Sequence, residues 1–104
     1  MRLEFHPEAE RELIEAALYY EVEVPGLGKR FGKEVERIAA ILLERPMLGH
    51  LIDSELRQFI LARFPFTIIY SESSEVLRVV AISHQRRLPG YWRAQALIVE
   101  SAWN

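Results

Sequence analysis

The sequence predicts an α+β domain in which a short N-terminal strand and an αα hairpin pack on an antiparallel β-meander. Three observations point there. Apolar residues recur at helical spacing over two stretches of the first half. A dense breaker, Pro25-Gly26-Leu27-Gly28, separates those stretches. From Leu56 onward the pattern changes to runs rich in Phe, Ile, Val and Tyr, divided by short breaks. With 104 residues, 50% hydrophobic and 27% charged, the chain has the size and composition of one folded domain spanning 1–104.

Residues 2 to 5, Arg-Leu-Glu-Phe, alternate polar and apolar as a half-buried strand does, and His6-Pro7 ends them. Pro7 then opens a helix, with Glu8, Glu10 and Glu12 complementing the positive end of its dipole. Ala9, Leu13, Ala16 and Tyr20 fall on one face, which Ile14, Ala17 and Leu18 are expected to widen. Glu12, Glu15, Glu21 and Glu23 are expected on a solvated face with no part in chemistry. Phe31, Val35, Ile38 and Leu42 set up a second amphipathic helix, closed by Pro46 and Gly49.

Leu56 to Phe64, Phe66 to Ser71 and Val76 to His84 read as three sequential antiparallel strands turned at Pro65 and Ser73-Ser74, with the N-terminal strand at an edge of their sheet. Ile68-Ile69 and Val79-Val80-Ala81-Ile82 are apolar on both faces. The face away from the helices is therefore expected to need cover, a place for a partner. Tyr91 to Val99 reads as a last short helix or an extended tail.

There are no cysteines, which excludes disulfides and thiolate metal sites and suits a reducing, cytoplasmic setting. The charged N-terminal stretch has no signal-peptide core, and no run reaches the roughly 20 apolar residues of a membrane helix. His6, His50 and His84 are widely separated, so neither a metal nor another cofactor is expected. Charge is uneven along the chain. Residues 1–56 carry 7 Lys+Arg against 12 Asp+Glu, whereas residues 57–104 carry 6 arginines against 3 glutamates. Arginine suits bidentate contacts to phosphate or carboxylate, so an anionic partner is expected on the second half.

The candidate site is the set Arg57, Arg63, Arg78, His84, Arg86, Arg87, Tyr91 and Trp92, all on or just after the strands. Strand alternation places Arg78, Val80, Ile82 and His84 on one face, and Arg57, Phe59, Leu61 and Arg63 on one face of the first meander strand. The plainer reading of each arginine is a rim residue covering apolar surface, and of Trp92 a ring packing the tail on the core. His84 at a strand end is a proton carrier near neutral pH or a hydrogen-bonded structural residue.

The order Tyr19-Tyr20-Glu21, Pro25-Gly26-Leu27-Gly28, Phe31, Glu34-Val35, Pro46, Gly49, Arg63-Phe64-Pro65-Phe66, Tyr70, His84-Gln85-Arg86-Arg87 and Pro89-Gly90-Tyr91-Trp92 resembles the RelE/ParE superfamily of toxins from bacterial type II toxin-antitoxin modules, which include plasmid stabilisation proteins. The resemblance spans nearly the whole chain. It implies a toxin that arrests growth and a cognate antitoxin that wraps it. It also implies one of two targets: DNA gyrase for ParE-like members, or messenger RNA cut in the ribosome by RelE-like members without a metal. For the nuclease, Arg57 and Arg63 would match the basic residues of the middle strands, Arg78 that of the last strand, and His84 or Tyr91 the late acid or base, with Arg86, Arg87 and Trp92 as binding residues. RelE-like sites use lysines in this region, and this half has none. That absence and the pI near 5.9 favour the gyrase reading, with the endoribonuclease and an inactive module retaining only antitoxin binding as alternatives.

Overall fold

The computed structural model describes residues 1–87 and 90–93. A strand β1 (Arg2–Phe5) leads into helix α1 (Pro7–Glu23) and helix α2 (Leu27–Glu44). Four further strands follow: β2 (His50–Leu51), β3 (Arg57–Ile60), β4 (Phe66–Glu72) and β5 (Val76–His84). No helix among the described residues is long and apolar enough to cross a membrane.

Helix α1 starts where the sequence marks it. His6 caps it by accepting the Glu8 N–H on Nδ1 at 3.0 Å, and Pro7 supplies a first residue that needs no amide donor. Gly26, at φ 88°, takes the left-handed turn between the helices. The N-terminus of α2 has no cap from its own turn. Glu21 of α1 fills that role, accepting the Gly26 N–H at 2.7 Å and the Gly28 N–H at 3.0 Å. Phe31, Val35, Ile38 and Leu42 are buried as their spacing requires, against Ile68, Tyr70, Leu77, Val79 and Ile82 of the sheet. Each such side chain contributes about 1.5–3 kcal/mol by leaving water.

The inward stripe of α1 is narrower than expected. Ile14 and Leu18 are 51% and 62% exposed, whereas Glu12 is only 8% exposed. A helix resting on one flank of a sheet buries an arc near Ala9, Leu13, Ala16 and Tyr20, and Glu12 lies inside that arc while Ile14 and Leu18 lie opposite. The solvated-face expectation therefore fails for Glu12. Glu21 is exposed as expected, and its carboxylate also works as a helix cap.

The sheet runs β1-β5-β4-β3-β2, with β1 parallel to β5 and all other pairs antiparallel. The meander is as expected, and the N-terminal strand does lie at an edge. Its partner is the last strand, and β2 is a two-residue addition at the other edge. The first meander strand is shorter than Leu56–Phe64, because residues beyond Ile60 bend into the β3–β4 loop, where the Leu61 N–H still reaches the Phe66 carbonyl at 3.0 Å.

A bulge changes the phase of β5. Ile69 pairs with Ala81 but Tyr70 pairs with Val79, so Val80 has no opposite residue. Leu77, Val79 and Ile82 join the helix-side core, while Val80 and Ala81 both join a second cluster on the other face, with Ile69 and Leu56. Arg78 and His84 thus lie on opposite faces, against the expectation of one shared face. The second cluster is covered from within the chain by Ile52, Tyr91 and Trp92, which corrects the expectation that this face waits for a partner. Of the tail expected over Tyr91–Val99, only 91–93 lie within the described residues, as a turn at Tyr91 and the helical pair Trp92-Arg93.

Candidate functional site

The end of β5 carries the densest group of the expected residues. After His84 the chain turns sharply. The Arg86 N–H donates to His84 Nδ1 and the Arg87 N–H to the His84 carbonyl, both at 3.0 Å, and the Gln85 N–H ties the turn to Pro65 of the neighbouring loop. With Nδ1 accepting, a neutral His84 carries its proton on Nε2. Its ring meets Phe66 edge to face at 5.0 Å and borders a shallow cleft of about 220 Å³ with Glu12, Glu15, Ala16, Ile82 and Arg87.

Tyr91 returns the chain to this end. Its hydroxyl donates to Glu12 Oε2 at 2.5 Å, its ring lies 4.0 Å under the Arg87 guanidinium, and Trp92 meets it edge-on at 5.6 Å. Burial first, and then the Glu12 carboxylate, push the Tyr91 hydroxyl far above the ordinary phenol range. At neutral pH it holds its proton firmly. Glu12 uses its other oxygen to accept the Ile82 N–H at 3.0 Å. On the opposite side Arg93 reaches Asp53 at 2.7 Å, in the β2–β3 loop. Asp53 is itself held low in pKa, first by the Glu55 N–H.

The remaining arginines are dispersed. Arg57 points on the helix side toward the α2–β2 loop and donates to the Gly49 carbonyl at 2.8 Å and the Met47 carbonyl at 3.3 Å. Arg63 is exposed in the β3–β4 loop; the Glu34 carboxyl on α2 is lowered chiefly by its hydrogen bond from Arg37 and less by Arg63. Arg78 lies in register between Glu4 and Ser71. Six residues of strand separate it from His84, about 20 Å, in addition to the change of face. Stabilising a phosphoryl transition state requires groups within about 3–3.5 Å of the reacting atoms. The structure therefore gathers His84, Arg86, Arg87, Tyr91 and Trp92, and sets Arg57, Arg63 and Arg78 apart from them. Sequence reasoning missed Glu12. Its only signal was one carboxylate at the flank of an apolar helical stripe.

An αα hairpin on a five-stranded sheet is the architecture that the resemblance to RelE/ParE superfamily toxins implies. A family model described as the ParE toxin of the type II toxin-antitoxin system, parDE, matches residues 3–89, and the chain belongs to this family. Among solved structures the fold is similar to a chain of the "Chromosomal ParDE TA system from P. aeruginosa". The two share 17% identity at a TM-score of 0.71, over 81% of this chain and 95% of that one. No curated protein matches the sequence.

Proposed function

We propose that this type II toxin arrests growth by docking on DNA gyrase, that Arg86, Arg87, Tyr91 and Trp92 form the docking surface, and that a cognate antitoxin neutralises it. The observation that supports docking over RNA cleavage is the commitment of Tyr91. Burial first, and then the Glu12 carboxylate to which its hydroxyl donates, raise its pKa, so Tyr91 keeps its proton and is unfit as a general base near neutral pH. A basic and aromatic surface that is ordered but not converged on one reacting atom suits protein recognition, where arginine and aromatic anchors carry most of the affinity.

The test is a pair of assays on the purified chain. Plasmid supercoiling by gyrase is expected to be inhibited, and inhibition is expected to weaken in Arg86→Ala/Arg87→Ala. Ribosome-bound message is expected to stay intact. Cleaved message with untouched supercoiling would replace this reading with the ribonuclease, and growth unaffected by expression of the chain would replace it with an inactive module.

A further inference from the structure

Among the described residues, no strand pairs with the outer edge of β5 beyond Val79. β1 ends at Phe5, opposite Val79, where the His6 N–H closes the last ladder bond to the Val79 carbonyl at 2.9 Å. β5 continues to His84, past the end of β1, so the Ile82 N–H on its outer edge is paired by something other than β1. α1 crosses this gap, and Glu12 accepts the Ile82 N–H there. The same carboxylate takes the Tyr91 hydroxyl, so one side chain joins the first helix, the last strand and the segment after it. A carboxylate removed from water is tolerated only when strong donors surround it, and these two donors supply that.

We propose that Glu12 is a positioning residue, which through Tyr91 holds Arg87 and Trp92, and with Arg87 the turn that carries Arg86, in the arrangement that docking on the target protein requires. This rests on the docking reading above and adds to it a residue that the target need not touch. The argument is one of preorganisation. Long arginine side chains and a short tail lose much freedom on binding, and fixing them beforehand removes that cost from the association step. The Tyr91 ring transmits the constraint. Its hydroxyl is bonded to Glu12, its face lies under Arg87 and its edge meets Trp92. The Arg93–Asp53 pair anchors the other end, but Arg93 is exposed and Asp53 only half-buried, and it cannot replace the buried contact.

The test compares Glu12→Ala, Glu12→Gln and Tyr91→Phe in the full chain. The readouts are amide hydrogen exchange at Arg86 and Arg87, the alkaline titration of Tyr91 by absorbance, and the concentration that half-inhibits gyrase supercoiling. Glu12→Ala is expected to speed exchange at both amides, to lower the pKa of Tyr91, and to raise the half-inhibiting concentration about tenfold. Glu12→Gln keeps an oxygen for the Ile82 N–H and an N–H2 for the tyrosine oxygen, and is expected to restore most of the slow exchange and of the inhibition, but not the share of the Tyr91 pKa rise that the Glu12 charge supplies. Tyr91→Phe keeps the ring and removes the contact, so it provides the exchange readout even where Glu12→Ala does not fold. Exchange unchanged in Tyr91→Phe overturns the clasp. Faster exchange with wild-type inhibition in Glu12→Ala overturns its role in docking. A wild-type protein without effect on gyrase overturns the docking reading and the target half of the proposal with it, while the exchange rates still decide whether Glu12 orders the segment.

Discussion

Arg57 and Tyr70 stand directly opposite each other across the β3–β4 ladder, and both direct their polar atoms to the loop that leaves α2. The Tyr70 hydroxyl accepts the Gly49 N–H at 2.9 Å and donates to the Pro46 carbonyl at 2.7 Å, while Arg57 donates to the Gly49 and Met47 carbonyls. The five-residue loop 45–49 is thereby held by two side chains that come from the middle of the sheet.

Tyr70→Phe should accordingly lower stability by about 2 kcal/mol, since it leaves the buried Gly49 N–H and the half-buried Pro46 carbonyl without their partner. Urea denaturation measures this. Arg57→Ala should cost less, because its bonds lie nearer solvent. If its effect on toxicity runs only through this loop, toxicity should fall no further than in Tyr70→Phe.

Gly28→Ala should cost about 3 kcal/mol, at the upper end of overpacking effects. A Cβ there would lie 2.1 Å from the Ala17 carbonyl oxygen and 2.9 Å from Glu21 Cβ, so the two helices must move apart. Thermal unfolding would report it, with Gly32→Ala as the control, because a Cβ at Gly32 meets nothing within 4 Å.

Glu21→Ala should shift the acid limb of the stability curve. The Gly26 N–H, more than any other group, holds the Glu21 carboxyl below its ordinary value. A carboxyl lowered in the folded state stabilises fully above its unfolded value, about pH 4.5, and the benefit is lost as pH falls through the folded value. The wild-type stability drop in that window should therefore shrink in the variant, as read from urea midpoints against pH.

At the alkaline end the sign reverses. Tyr91 is raised chiefly by burial and then by Glu12, and Tyr20 and Tyr70 are raised chiefly by burial. A phenol raised in the fold keeps its proton after the unfolded chain has released its own. Stability should therefore be intact below about pH 10 and fall as pH climbs beyond it. Tyr91→Phe should remove part of that slope and leave the share due to the other two.

The hairpin and the meander were legible because each rests on a local pattern: Phe31, Val35, Ile38 and Leu42 at helical spacing, and β-rich runs between Pro65 and Ser73-Ser74. β2 was not, since two residues carry no periodicity. The bulge at Val80 was hidden for another reason. Val79-Val80-Ala81-Ile82 is apolar throughout, so the sequence pattern reads the same with or without a shift of phase, yet that shift separates Arg78 from His84. Glu12 was misplaced because an acidic residue near the start of a helix is ordinarily explained by the dipole. Its true partners, Ile82 and Tyr91, lie 70 and 79 residues away along the chain.

The parallel pairing of β1 with β5 has a consequence for how the toxin is made. The first strand to be synthesised must wait for Val76 to Val79 before it can enter the sheet, and the tie between Glu12 and Tyr91 forms later still. Contacts of such long sequence separation form late and slowly. A nascent chain therefore can neither close its β1 edge nor form the tie between the first helix and the segment after the last strand until the residues of β5 and Tyr91 have been made.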